Sequence, residues 1–261
     1  MIRVLQENLQ DGLNIVKSGI LERSRTLPIL NNVLFDIDEG MITLTTNDLE
    51  TVTQYRVGGK IECPISFTVP CKFLADMVNL LPSDVIDITH DNHIATFKCG
   101  RYTANLNTMD SADYPPLPVT EGQEFEIYDL ADAIKKVKDL IENERYGYSK
   151  TDGLLFDMGL CQVVATDCKR MKVAHINTTP IEGLKFRISK KASAILLKCK
   201  DTVKVTYRIG DKSEYSPYTE NSRIKFVSGN TTIITLNLES NSKYPDYQKV
   251  AEDHKDLVTV Y

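Results

Sequence analysis

His90-Asp91-Asn92-His93 puts two imidazoles and a carboxylate within four residues, the local density that a divalent cation asks of its ligands. The flanking runs Val85-Ile86-Asp87-Ile88-Thr89 and Ile94-Ala95-Thr96-Phe97-Lys98 alternate like the two strands of a hairpin. The four residues are then its polar tip, because Asp and Asn are standard turn formers, and no metal is expected there. The six cysteines (Cys63, Cys71, Cys99, Cys161, Cys168 and Cys199) form no C-x-x-C pair, so reduced thiols are expected rather than zinc. None of the thirteen glycines makes G-x-G-x-x-G or G-x-x-x-x-G-K, and there is no G-x-S-x-G elbow for an acyl-transfer serine. Asp36 and Asp38 alternate with apolar residues and so face away from a core, whereas a two-metal nuclease wants several convergent carboxylates. No catalytic residue and no cofactor is expected; the chain is not read as an enzyme.

The lysines offer a different chemistry. Residues 188–200 carry Lys190, Lys191, Lys198 and Lys200 with no acid among them. At about 100° per residue, Lys190, Lys191 and Lys198 fall opposite or beside the Ala192, Ile195 and Leu196 face. In 129–146, Lys135 and Lys136 oppose the apolar stripe but share their side with Asp132, Asp139 and Glu142. Ammonium groups on such a face touch phosphates without reading base sequence, and an ordinary solvated helix face fits the same charges. A formal net charge of −5 excludes wrapping of nucleic acid by the whole surface and leaves room for a local basic stripe.

Four segments with helical spacing must carry these groups. Leu9, Leu13, Val16 and Ile20 mark the first; Pro70, Phe73, Leu74, Met77 and Leu81 the second. Asp129 is the expected N-cap of the third, with Leu130, Ile134, Val137 and Ile141 on its face, and Ser189 that of the fourth, with Ala192, Ile195, Leu196 and Cys199. Alternating strands fill the space between, including a hairpin of Val33–Ile37 and Met41–Thr45 about an acidic-Gly turn.

The order of elements repeats. Asn47 and Thr166 stand 166 − 47 = 119 apart, Val69 and Ile188 stand 188 − 69 = 119 apart, and Tyr114 and Tyr244 stand 244 − 114 = 130 apart. A solenoid repeats every ~20–50 residues, so this period means a duplicated domain. The expected division is 1–120 and 121–250, with 251–261 as a tail or the start of a further domain, and the fold class is α+β. With no apolar run long enough for a membrane span and no signal-like N-terminus, the chain is expected in the cytoplasm.

Thr26-Leu27-Pro28-Ile29-Leu30, Leu44-Thr45-Thr46-Asn47-Asp48-Leu49-Glu50 and Thr68-Val69-Pro70-Cys71-Lys72-Phe73 resemble the first domain of the bacterial DNA polymerase III beta sliding clamp. Gly153-Leu154-Leu155-Phe156, Val164-Ala165-Thr166-Asp167-Cys168-Lys169-Arg170-Met171 and Tyr244-Pro245-Asp246-Tyr247 resemble its second. The resemblance implies a ring of six such domains, helices lining the hole and sheets outside, that encircles double-stranded DNA near the nucleoid. It also implies a replicative polymerase and a clamp loader as partners. Lys17, Arg23, Arg25, Lys72, Lys135, Lys136, Lys190, Lys191 and Lys198 are then candidate DNA contacts. The family's peptide pocket carries over onto Thr166, Cys168, Lys169, Arg170, Met171, Pro245, Lys249 and Val250, with Cys168 and Lys169 where a Gly and a His are usual. Relatives carry three copies of the module and this chain two. A virus-encoded homotrimer, with 6 ÷ 2 = 3 chains per ring, and a truncated form both remain open. A clamp-fold adaptor that binds partner peptides without encircling DNA is the alternative function.

Overall fold

A computed structural model of the chain describes all residues except 21–25, 39, 142–150, 201, 208–222, 241–243, 254–258 and 261. The residues divide into two units, Met1–Leu117 with Asn230–Thr232, and Pro118–Gly229 with Ile233–Tyr261.

In the first unit β1 (Ile2–Leu5) runs straight into α1 (Gln6–Val16), whose Leu9, Leu13 and Val16 are fully buried. Each such side chain contributes about 1.5–3 kcal/mol on burial, far more than any helix cap here. There follow β2 (Asn32–Asp38), β3 (Met41–Asn47), β4 (Thr51–Gly58), β5 (Lys60–Ile61) and β6 (Ile65–Pro70). Then come α2 (Cys71–Leu80), β7 (Val85–Asp91), β8 (Ile94–Cys99) and β9 (Tyr102–Asn107). One sheet runs β5-β1-β7-β8-β9; the other strands run in the order β4-β3-β2-β6. All pairings between these strands are antiparallel. The α1 helix packs on β3, β4 and α2.

The second unit repeats the order. It opens with β10 (Gln123–Tyr128), α3 (Leu130–Val137), β11 (Leu154–Asp157), β12 (Gln162–Thr166), β13 (Met171–His175) and β14 (Asn177–Thr178). It continues with β15 (Lys185–Ile188), α4 (Lys190–Leu196), β16 (Val203–Tyr207), β17 (Arg223–Ser228) and β18 (Thr231–Leu236). A helix α5 (Tyr247–Asp253) and a short β19 (Thr259–Val260) have no counterpart among the described residues of the first unit. Strand orders are β14-β10-β16-β17-β18 and β15-β11-β12-β13-β19, the last pair parallel.

The repeat extends into the cores. Phe35, Phe67 and Phe97 meet in the first unit, Phe35 stacked on Phe67 at 5.1 Å and edge-on to Phe97 at 6.2 Å. Phe156, Phe186 and Phe226 meet in the second, Phe156 stacked on Phe186 at 4.6 Å and tilted against Phe226 at 6.1 Å. Both triads come from equivalent strands (β2, β6, β8 and β11, β15, β17), so one aromatic core is built twice.

Three local expectations change. Asp129 does not cap α3 with its side chain: its backbone is left-handed (φ +55°), a conformation Asp tolerates, and its carbonyl accepts the N–H groups of Asp132 and Ala133. The α3 helix ends at Val137 and passes through a 3-10 turn, Lys138–Leu140, before buried Ile141; the rest of the expected helix, 142–146, lies outside the described residues. On α2 the buried face is Cys71, Leu74, Ala75 and Val78, leaving Phe73 59% exposed. The helix begins after Pro70 rather than at it, and its small Cys and Ala residues sit against the core.

Candidate functional site

Thr166 and Met171 are cross-strand partners at the end of the β12–β13 hairpin, so Asp167-Cys168-Lys169-Arg170 form its loop. Asp167 Oδ1 accepts the backbone N–H groups of Lys169 at 3.0 Å and Arg170 at 2.7 Å. Its Oδ2 accepts Nε and Nη2 of Arg170 at 3.0 and 2.7 Å, a bidentate pair. Thr166 Oγ1 donates to the Arg170 carbonyl at 2.7 Å and accepts the Cys168 N–H at 3.1 Å. The Arg170 guanidinium, followed by the two backbone N–H groups, holds the Asp167 carboxyl down at about 2. Cys168 takes the left-handed backbone (φ +67°) that this loop requires, the conformation glycine adopts without cost.

The same loop closes β3 and β4. Asp48 Oδ1 accepts the N–H groups of Glu50 and Thr51 at 3.1 and 2.6 Å, and Asn47 Oδ1 accepts that of Leu49 at 2.7 Å. Leu49 holds the left-handed position at φ +76°. In the second unit, Lys169 and Arg170 stand where the first has Glu50 and Thr51, so only the second loop offers a basic rim.

Opposite this loop, Tyr244-Pro245-Asp246 leads into α5. Asp246 Oδ1 accepts the Lys249 N–H at 3.3 Å in the manner of an N-cap. Tyr247 is buried; its hydroxyl donates to Asp157 at 2.9 Å and lies 3.2 Å from Gln162 Oε1. Lys185 pairs with the same Asp157 carboxylate at 2.7 Å. Burial, then the Asp157 carboxylate, pushes the Tyr247 hydroxyl up out of its ordinary range, so it stays a neutral donor.

Loop and segment line a groove of about 610 Å³. Met171, Tyr244, Pro245, Tyr247 and Val250 give it an apolar floor and far wall; Thr166, Cys168, Lys169 and Arg170 form the basic near wall. Seven of the eight residues expected in a pocket, all but Lys249, line it. Lys249 is exposed on the first turn of α5, a helix the sequence does not announce. Thr151, Tyr244 and Tyr247 are additions to the expected set. Thr151 Oγ1 hydrogen-bonds Cys168 Sγ at 3.2 Å across the near wall. The Asp before Tyr247 is the signal that could place the two tyrosines, because it starts a helix that turns one of them inward.

The candidate DNA contacts are placed unevenly. Lys17 follows α1 and pairs with Asp76; Lys135 pairs with Asp132 at 2.7 Å. Lys72 and Lys136 are exposed on α2 and α3. Lys190 is exposed at the start of α4, Lys191 half-buried and Lys198 exposed just beyond its end. The Ser189 hydroxyl accepts the Ala192 N–H at 3.1 Å and so caps this helix as its sequence implies. Arg23 and Arg25 lie outside the described residues.

Residues 1–118 match the family described as DNA polymerase III beta subunit, N-terminal domain. The beta sliding clamp of Pseudomonas aeruginosa is 31% identical over 184 residues, 67% of this chain and 49% of that protein. That of Pseudomonas putida is 27% identical over 270 residues, 98% of this chain and 69% of that protein. The chain therefore matches between about half and two thirds of these relatives' lengths. Among solved structures, the P. aeruginosa DNA polymerase III beta subunit gives a TM-score of 0.80 at 24% identity, covering 96% of this chain and 68% of that one. The Thermotoga maritima beta subunit gives 0.80 at 20%, covering 96% and 67%. At these identities the two structures show the fold.

Proposed function

This chain belongs to the bacterial DNA polymerase III beta subunit family, and on that footing we propose that it works as a non-catalytic DNA sliding clamp. In this reading it encircles duplex DNA and tethers a replicative polymerase and other partners by short peptides held in the groove. The observation that carries the reading is the groove itself: an apolar lining that includes Met171, Pro245 and Val250 beside the basic rim of Lys169 and Arg170. Such a site takes a linear segment by burying apolar anchors while its acidic residues meet the rim. The Helicobacter pylori beta clamp, a relative in fold, is seen bound to a DNA ligase peptide, an occupant of the same class. The lysines of α4 would supply sequence-blind phosphate contacts, which suit sliding.

Two units per chain make six in a trimer, and a ring of three chains is the assembly we propose, opened by a clamp loader. Light scattering across a concentration series tests it: a three-chain mass supports the ring and a persistent monomer removes it. For the clamp function, protein placed on nicked circular DNA should be retained and then released once the circle is cut to a linear form. Equal release from both topologies would leave the peptide-binding adaptor as the better reading. Peptide capture is tested with a fluorescein-labelled peptide of two leucines and a terminal phenylalanine among acidic residues; no saturable binding would remove the groove.

A further inference from the structure

Arg187, on β15, heads the fully buried side chains of the described residues by size, with 0% of its side chain exposed. A guanidinium keeps its charge and brings five N–H donors, so a site this dry must supply acceptors. Two separate segments do so. Nη1 donates to the Asp152 carbonyl at 3.0 Å and Nη2 to the Leu238 carbonyl at 3.2 Å. Nε lies 3.4 Å from Glu239 Oε2, and the guanidinium carbon is 5.8 Å from the centre of the Tyr244 ring. Glu239 turns its other oxygen to accept the Tyr244 N–H at 2.7 Å. Asp152 follows Thr151 on the near wall of the groove, and Tyr244 stands on the far wall. One planar cation therefore contacts both the residue beside Thr151 and the ring of Tyr244.

Stability alone is a weak reason for this arrangement, because apolar side chains of similar volume often replace buried ion pairs without loss. A rigid fork does what an apolar side chain does not: it sets directional distances to two carbonyls at once. Tyr244 has need of that. Its hydroxyl is buried and has no hydrogen-bond partner among the described residues, and burial, ahead of every charge nearby, pushes it up. The ring is thus placed by the backbone bond to Glu239, by the guanidinium and by packing on the Leu155, Val164, Val173 and Tyr247 cluster, rather than by its own hydroxyl. Resting on the groove reading above, we infer that Arg187 is its positioning residue: it fixes the spacing of the Thr151 and Tyr244 walls, and so the size of apolar anchor the groove accepts.

The test uses the whole chain with R187M and R187K, titrated with the labelled peptide ending in phenylalanine and with a twin ending in alanine. Circular dichroism and cooperative unfolding report whether each variant folds. R187M should bind the phenylalanine peptide about tenfold more weakly, the loss expected of one misplaced anchor. Its preference for phenylalanine over alanine should shrink, which a general loosening of the fold would not produce selectively. R187K should recover part of both, since an ammonium can still serve one carbonyl. A folded R187M with unchanged affinity and preference overturns the inference. If R187M does not fold, E239Q decides. It keeps an acceptor for the Tyr244 N–H and removes the charge facing Arg187, so a several-fold loss with altered preference supports the role and unchanged binding removes it. Failure of the unaltered chain to bind either peptide would strike the groove reading and this inference together, whereas failure in the variants alone strikes only the role of Arg187.

Discussion

Leu49 and Cys168 hold the same position in two copies of one turn, 168 − 49 = 119 residues apart, with left-handed backbones at φ +76° and +67°. Each follows an aspartate whose carboxylate gathers the next two N–H groups, so the loop dictates the conformation and the side chain merely endures it. A left-handed residue with a Cβ costs about 1–2 kcal/mol, and glycine gives back about half of the relief through the extra freedom of the unfolded chain. Replacing either residue with glycine should therefore stabilise the protein by about 0.5–1 kcal/mol in urea unfolding. Cys168→Gly should gain the less of the two, because it also gives up the bond between Sγ and Thr151. Destabilisation of both variants would show that the side chains, not the loop, hold the turn.

Gly153 presents the opposite case. Its φ is +81°, and a Cβ there would meet the carbonyl oxygen of Ile188 at 2.2 Å, where backbone on both sides leaves nothing soft to yield. Gly153→Ala should cost more than about 2 kcal/mol in chemical unfolding, combining left-handed strain with a backbone clash. Because Gly153 directly follows the Thr151-Asp152 wall and precedes β11, labelled-peptide affinity should fall as well. An alanine variant as stable as the parent would mean that β11 and β15 can part here without penalty.

Much of this fold is legible in the sequence because it depends on local periodicity: Leu9, Leu13 and Val16 bury one face, and Ser189 caps α4. What escapes depends on partners distant in the chain. Nothing near Arg187 in sequence announces that its guanidinium will be enclosed by carbonyls from residues 152 and 238. The basic loop of the groove is a local motif and is readable as one. On its far wall Tyr247 escapes because the packing of the unannounced α5 decides its direction, and Tyr244 because the distant Glu239 and Arg187 meet it. Phe73 shows the same limit on α2, where sequence spacing allows two apolar faces and the core selects the one with smaller residues.

Helix charge separates the candidate DNA contacts. Lys17 and Lys135 already face Asp76 and Asp132, so neutralising a phosphate would compete with an existing ion pair. The α4 segment contributes Lys190, Lys191 and Lys198 without an acid in its own sequence. Every phosphate that the protein ceases to neutralise lowers the slope of log affinity against log salt by about 0.9 on duplex DNA. Changing the three α4 lysines together to alanine should flatten that slope by about 2–3. Retention on nicked circles at several salt concentrations measures it, and an unchanged slope would show that these lysines meet no phosphate.

The Asp167 carboxyl, drawn down to about 2 by Arg170 and the loop's N–H groups, sets the acid limit of the groove. Its ordinary value when unfolded is about 3.9. A carboxyl depressed on folding contributes stability that is full above the unfolded value and is lost as pH falls through the folded one. The near wall should therefore keep its shape from neutral pH down to about 4 and give way between about 4 and 2. Labelled-peptide affinity should not change through this carboxyl between pH 8 and about 5, and acidic groups on the peptide, titrating near 4, should account for any earlier decline. A peptide with its acids replaced by amides separates the two, since only loss of the loop remains. Asp167→Asn should bind weakly at every pH, because an amide cannot accept the bidentate Arg170 fork and its N–H groups point at the same donors. Full affinity in that variant at pH 7 would mean that the wall stands without its ion pair.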